Sequence, residues 1–187
     1  MTAQPMTTNA EEIEIRIKSV DQLFNSLDPA PFRERELDRE AERHIVAYAR
    51  EVAASQPIKL VIYLPTATLG PALTTELDAA IGNHFAHQAR EQETELNELR
   101  RLGRKGLAVG LLVMLFATLV GVALINAFPD SRFIETIEHS LIIFGWVALW
   151  RPIEILLYDR WPLIRARELF QRLAAAPVVV RAATAGR

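Results

Sequence analysis

LAVGLLVMLFATLVGVALINAF, residues Leu107 to Phe128, runs for 22 residues without a single charge. At about 1.5 Å of rise per residue, a helix of this length crosses the roughly 30 Å hydrocarbon core of a bilayer. The stretch predicts an integral membrane protein, with Leu107–Phe128 as an uncleaved internal anchor. Immediately after it, Phe128-Pro129-Asp130-Ser131-Arg132 forms a helix-stopping turn, and a second apolar run follows at Ser140–Trp150 (SLIIFGWVALW). That run makes only about 16 Å of helix, too short to cross alone. With flanks recruited from Phe133–His139 and Arg151–Tyr158, a second span is expected at about 133–156.

Lys and Arg set the expected orientation. Arg100, Arg101, Arg104 and Lys105 precede the first span, and Arg151, Arg160, Arg165 and Arg167 end or follow the second. The connecting turn holds only Arg132. Both termini are therefore expected in the cytoplasm. Trp146, Trp150, Tyr158 and Trp161 gather toward the inner end of the second span, where an aromatic belt would anchor it. The start of the chain, MTAQPMTTNAEEIEIRIK, has neither the basic region nor the apolar run of a secretory signal.

The flanks read as one small domain interrupted by the hairpin. Glu12–Lys18 alternates, with Ile13, Ile15 and Ile17 on one face and Glu14, Arg16 and Lys18 on the other, as in a half-buried strand. Asp21–Leu27 suggests a short helical turn, and Asp28-Pro29-Ala30-Pro31 a loop. Over Asp38–Ala54, Ala41, Ile45, Tyr48, Ala49 and Val52 share a helical face. Ile58–Leu64 (IKLVIYL) predicts a strand buried on both sides, and 65–71 a loop. From about Ala72 a long helix places Leu73, Leu77, Ile81 and Phe85 in one line and runs on into the first span. Pro162–Ala174 predicts an amphipathic helix with Leu163, Leu169, Phe170 and Leu173 inside. Pro177–Val180 predicts a last short strand, and Ala182–Arg187 a frayed tail.

The expected fold is thus a membrane protein of mixed α and β structure. A two-helix transmembrane hairpin (105–156) is inserted into a small cytoplasmic domain of about three strands with flanking helices (1–104 and 157–187). Two parallel crossovers give the simplest sheet.

Several side-chain patterns are candidates for function. Gly103, Gly106, Gly110, Ala117 and Gly121 fall within about 60° of one another on the first span. Such a small-residue stripe admits another helix backbone, either the second span of the same chain or a second copy across a homo-oligomeric seam. Glu135, Glu138 and His139, at i, i+3 and i+4, could meet a cation or a proton, or simply start a helix at the interface. Arg151 and Glu154 can pair at the inner boundary, and Pro152 can kink the helix. Arg100, Arg101, Arg104 and Lys105 would attract anionic headgroups.

His84, His87 and Glu91 have a spacing that can hold a divalent metal, although such residues are common on solvated helix faces and nothing nearby completes a set. His44 stands alone. Arg33–Glu40 alternates in charge without an apolar pocket and reads as surface.

The absences narrow the classes. The 187 residues contain no cysteine and carry a formal net charge of −2. A disulfide framework, a thiolate metal centre and the basic face of a nucleic-acid binder are therefore not expected. No P-loop, strand-linked GxGxxG or GxSxG is present.

Two longer stretches, Asp21–Asp38 (DQLFNSLDPAPFRERELD) and Gly145–Pro162 (GWVALWRPIEILLYDRWP), resemble those of a group of bacterial two-span inner-membrane proteins without an assigned activity. The resemblance covers most of the chain. It implies a bacterial inner-membrane setting and carries over no functional residues.

The resulting expectation is a non-enzymatic scaffold without cofactor or metal. Its partners would be the lipid bilayer and either a second copy or another membrane protein, with no nucleic acid. The alternative is a subunit of a transporter or of an ion or proton channel that uses the Glu, His and Arg groups of the second span.

Overall fold

The computed structural model describes residues 10–25, 28–65 and 71–183. Residues 66–70 of the loop expected at 65–71, Ser26 and Leu27 at the end of the expected turn, and the tail beyond Ala183 lie outside them. The elements run β1 (Glu11–Arg16), α1 (Arg39–Glu51), β2 (Ile58–Leu64), α2 (Pro71–Ala127), α3 (Arg132–Glu154), a π-helical turn (Ile155–Asp159), α4 (Arg160–Ala174) and β3 (Val178–Ala182). The chain forms two compact units, Met1–Glu91 with Ala166–Arg187, and Gln92–Arg165.

In the first unit the three strands lie in the order β1-β2-β3, with both pairs parallel. Right-handed crossovers that step across a sheet in one direction place their helices on one face. The core obeys this rule. Ile13, Ile15, Leu60, Ile62 and Val178 meet Ile45 and Ala49 of α1, Leu77, Ile81 and Phe85 of α2, and Leu169 and Leu173 of α4.

The other face carries a charged ladder. Glu12 accepts from Lys59 (3.0 Å) and Arg181 (3.3 Å), Tyr63 donates to Glu14 (3.1 Å), and the Arg16 guanidinium lies 5.5 Å from the Tyr63 ring centre. These contacts hold the Glu12 carboxyl below the ordinary carboxylate range, the Lys59 hydrogen bond first among the causes. Strand β2 is therefore fully buried on one face and only partly on the other, where Lys59 and Tyr63 are half-buried. Of Lys59, Val61 and Tyr63, only Val61 is fully buried.

Boundaries shift where distant groups intervene. Helix α1 starts at its Asp38 cap, which accepts from the Glu40 N–H at 2.8 Å. It ends at Glu51 instead of reaching Ala54. The Arg172 guanidinium of α4 donates to the Ala53 and Gln56 carbonyls at 2.9 and 3.0 Å, and Val52 turns to extended backbone to pack on the core.

Strand β1 ends at Arg16 instead of reaching Lys18, and just beyond it the Gln22 side chain accepts from the Lys18 N–H. The expected turn from Asp21 is a short 3₁₀ helix at Val20–Gln22. Strand β3 runs on through Arg181 and Ala182, which removes Ala182 from the expected frayed tail. At its start, the Val178 N–H is taken by Asp78 of α2 at 2.9 Å.

The second unit is a helical hairpin. Helices α2 and α3 are joined by Phe128–Ser131, as the Pro-Asp-Ser turn predicts. The amphipathic helix expected over Pro162–Ala174 is α4, which begins two residues earlier, at Arg160. Helix α3 passes through the π turn directly into α4, and the wider turn lies between Pro152 and Pro162, each lacking the N–H of a regular helix.

Candidate functional site

The small-residue stripe of α2 faces α3 of the same chain. A Cβ added at Gly103 would lie 2.7 Å from Leu156 Cδ2, at Gly106 3.2 Å from Pro152 Cγ, and at Gly121 2.9 Å from Glu138 Cγ. At Gly110 it would lie 3.0 Å from the Ala148 carbonyl oxygen. From the other side, a Cβ at Gly145 would sit 3.0 Å from Met114 Cα. Ala117 is buried within the row.

The contact at Gly110 has a backbone cause. Ala148 is four residues before Pro152, which has no N–H to give the Ala148 carbonyl. That oxygen instead lies against the Gly110 Cα–H, a weak donor. Only glycine lets the two backbones meet there.

Near the turn, the structure brings together part of the Glu135, Glu138 and His139 group. His139 Nδ1 is 2.7 Å from the Glu135 carbonyl and 3.1 Å from Glu138 Oε2. A carbonyl can only accept, so Nδ1 carries the proton in this bond. Glu135 thus contributes its backbone, not its carboxylate. Glu138 is the enclosed member, with its side chain 19% exposed against 77% for His139. It lies six residues into α3, about 9 Å along the helix from its start.

At the other end, Arg151 reaches Glu154 at 3.1 Å and also Asp159 at 3.5 Å. Asp159 was not legible as a partner. In a regular helix a residue eight positions on is turned about 80° away, and the π turn brings it round. Arg100, Arg101, Arg104 and Lys105 are all exposed.

The histidines of the first unit separate. His84 is buried, not on a solvated face. Its Nδ1 accepts from the Leu37 N–H at 3.3 Å, and its Nε2 faces Glu42 at 3.6 Å, beyond hydrogen-bond length. His87 is exposed and pairs with Glu91 at 3.3 Å, while His44 packs against Tyr48. Among the described residues, no three His, Cys, Asp or Glu side chains converge on a metal position.

The missed residue is Leu37. It lies within the charged run read as surface, yet it is buried and bridged to Phe24. Asp28 fastens this segment by accepting from the Ala30 and Glu36 N–H groups. Those two bonds hold its carboxyl below the usual range, the Glu36 bond foremost.

Burial lowers the His84 imidazole below its ordinary value of 6.5, against the opposing pull of Glu42 and Glu36 and assisted by His87. Neutral His84 is the folded form, because protonating Nδ1 would end its acceptance from Leu37. The unfolded chain binds this proton more readily, so the stabilisation is complete above pH 6.5 and is lost as pH falls below it. Amide exchange at Leu37 should therefore quicken between pH 7.5 and roughly 5 by more than the intrinsic rate allows. His84→Asn should remove that pH dependence. A pH-independent protection factor in the natural chain would contradict this assignment.

Two helices, Ala72–Ala127 and the continuous stretch Arg132–Ala174, are long and apolar enough to cross a membrane. Compared with known proteins, the chain matches no family model, no curated protein and no solved structure.

Proposed function

We propose that this chain is a non-enzymatic, membrane-anchored interaction protein of the bacterial inner membrane. The hairpin lies in the bilayer, and the α/β domain on the cytoplasmic side docks a partner or a second copy. The observation that carries this reading is the outer surface of the hairpin. In the most apolar 18-residue window of each helix only 17% is buried, and residues such as Leu112, Phe116, Phe144 and Trp150 are more than half exposed. The core helix of a soluble protein buries such a surface, and a bilayer would cover it here. The basic residues 100–105 would lie at anionic headgroups.

Because the chain has no cysteine, single cysteines report topology cleanly. A membrane-impermeant maleimide applied to spheroplasts should label Asp130→Cys, whereas Glu51→Cys should react only after lysis. The chain should stay with the membrane in carbonate. Release into carbonate, or labelling of Glu51→Cys in intact spheroplasts, would sink the assignment.

The Glu138–His139 pair supports a second reading, a proton- or cation-conducting subunit, since an enclosed carboxylate at membrane depth is costly to keep without a use. Two helices cannot enclose a pore, so conduction would require assembly. Flux in liposomes that is lost in Glu138→Gln would favour this reading.

A further inference from the structure

The outer edge of β1 is built for pairing. The Glu11 and Ile17 N–H groups bond to Pro57 and Tyr63 of the β2 side. By strand alternation, the N–H and C=O groups of Glu12, Glu14 and Arg16 point away from β2. Among the described residues no strand pairs there; β1 is an end strand of the sheet. Beside it runs an open groove of about 960 Å³, with Glu12, Glu14 and Arg16 on one wall and Ala41, His44 and Tyr48 of α1 on the other.

We propose that this edge pairs antiparallel with β1 of a second copy, making one six-stranded sheet. The proposal deepens the interaction-protein reading by assigning the surface and the partner, and it rests on that reading only for the domain being the interacting part. Charge complementarity selects the occupant and the register.

With the twofold axis at Ile15, Glu14 lies opposite Arg16 twice and Glu12 opposite Lys18 twice. Glu14 and Arg16 are the outward-bonding residues, so each 14–16 pair exchanges two backbone hydrogen bonds. On the other face Ile15 meets Ile15, and Ile13 meets Ile17, which continues the isoleucine row, buried at Ile13 and Ile15 and half-buried at Ile17, across the axis. Moving the axis to Glu14 keeps two opposite-charge pairs, Glu12 with Arg16, but sets Glu14 against Glu14 at the centre, so the Ile15 register, with four attractive pairs and no repulsive one, is the favoured one. Antiparallel self-pairing uses the same patch on both copies and closes at two.

The test uses the full chain in detergent, with the protein mass taken by light scattering after subtraction of the micelle. The natural protein should be dimeric. Arg16→Glu converts two attractive cross-strand pairs into repulsive ones and should weaken the dimer by about tenfold or more. The double variant Glu14→Arg with Arg16→Glu should restore it. Independently, Ile15→Cys should form an interchain disulfide on mild oxidation, since opposed residues at a non-hydrogen-bonded position lie about 4.5 Å apart.

A monomer at all concentrations without the disulfide overturns the proposal, as does a dimer that Arg16→Glu leaves unchanged. Carbonate extraction of the same membranes reports separately on anchoring. Failure at β1 therefore leaves the membrane assignment standing, and loss of anchoring does not masquerade as failure at β1.

Discussion

Gly110→Leu should open the hairpin. The first atom of the new side chain would already lie 3.0 Å from the Ala148 oxygen and 2.9 Å from Leu149 Cδ2, and three more carbons follow. The Leu149 methyl can swing aside, but the carbonyl is backbone and cannot move without shifting α3. Overpacking of this kind costs about 1–3 kcal/mol, and more when the obstacle is rigid. It also takes away the Cα–H that meets the carbonyl Pro152 leaves unsatisfied.

The contacts further predict a ranking among alanine variants. Gly110→Ala and Gly145→Ala, which meet backbone, should be the most damaging. Gly103→Ala meets the mobile end of Leu156 and should be milder, and Gly106→Ala, with its nearest contact at 3.2 Å, milder still.

All three tryptophans lie in the hairpin unit, so thermal unfolding followed by their emission reads this effect. The midpoint for Gly110→Leu should fall by about 5 °C or more, whereas Val109→Leu, on the exposed face, should leave it near that of the natural chain. Equal midpoints would mean that α3 does not cover the stripe. With the stripe occupied by α3, a change in oligomer size is not the primary expectation for this variant. A copy-to-copy seam at the same stripe would require α3 to leave it.

The second large effect is expected from Phe85→Ala. Phe85 has no exposed surface. Its ring stacks on Phe170 of α4 at 6.2 Å and meets His84 edge-on at 5.3 Å. Phe85 precedes the hairpin and Phe170 follows it, so their contact joins the two halves of the interrupted domain. Truncating a buried phenylalanine costs about 3–5 kcal/mol, a large part of the roughly 5–15 kcal/mol that holds a domain folded. Amide exchange in Ile58–Leu64 at the sheet centre should accelerate by about a hundredfold or more. Phe116→Ala, 70% exposed in the hairpin, should not change it. Unchanged exchange in Phe85→Ala would mean that the two flanks do not share a core.

The strands, helices and hairpin were legible because each has its own period. Isoleucines alternating with charges mark β1, a heptapeptide apolar but for Lys59 marks β2, and the line Leu77, Ile81, Phe85 marks the inner face of α2. The parallel sheet followed from the order of those elements alone, since short right-handed connections leave few alternatives.

What was not legible depended on contacts between residues far apart in sequence. The buried states of Leu37 and His84 arise because the segment before α1 folds back over α2, and nothing in an alternating charged run announces that. Strand β2 looked doubly buried because most of its residues are apolar, but on its outer face Lys59 and Tyr63 are only half-buried within the charged ladder. The end of α1 is set by Arg172, 116 residues beyond Gln56.

The sequence by itself determined where apolar surface lies and how often it recurs, because hydrophobic periodicity is a local property of each segment. Only the tertiary structure decided what covers that surface. It gave the glycine stripe to α3 of the same chain, turned Asp159 toward Arg151 through a π turn, and left the β1 edge without a partner strand among the described residues. Each of these outcomes depends on backbone-to-backbone distances that no single stretch of residues contains.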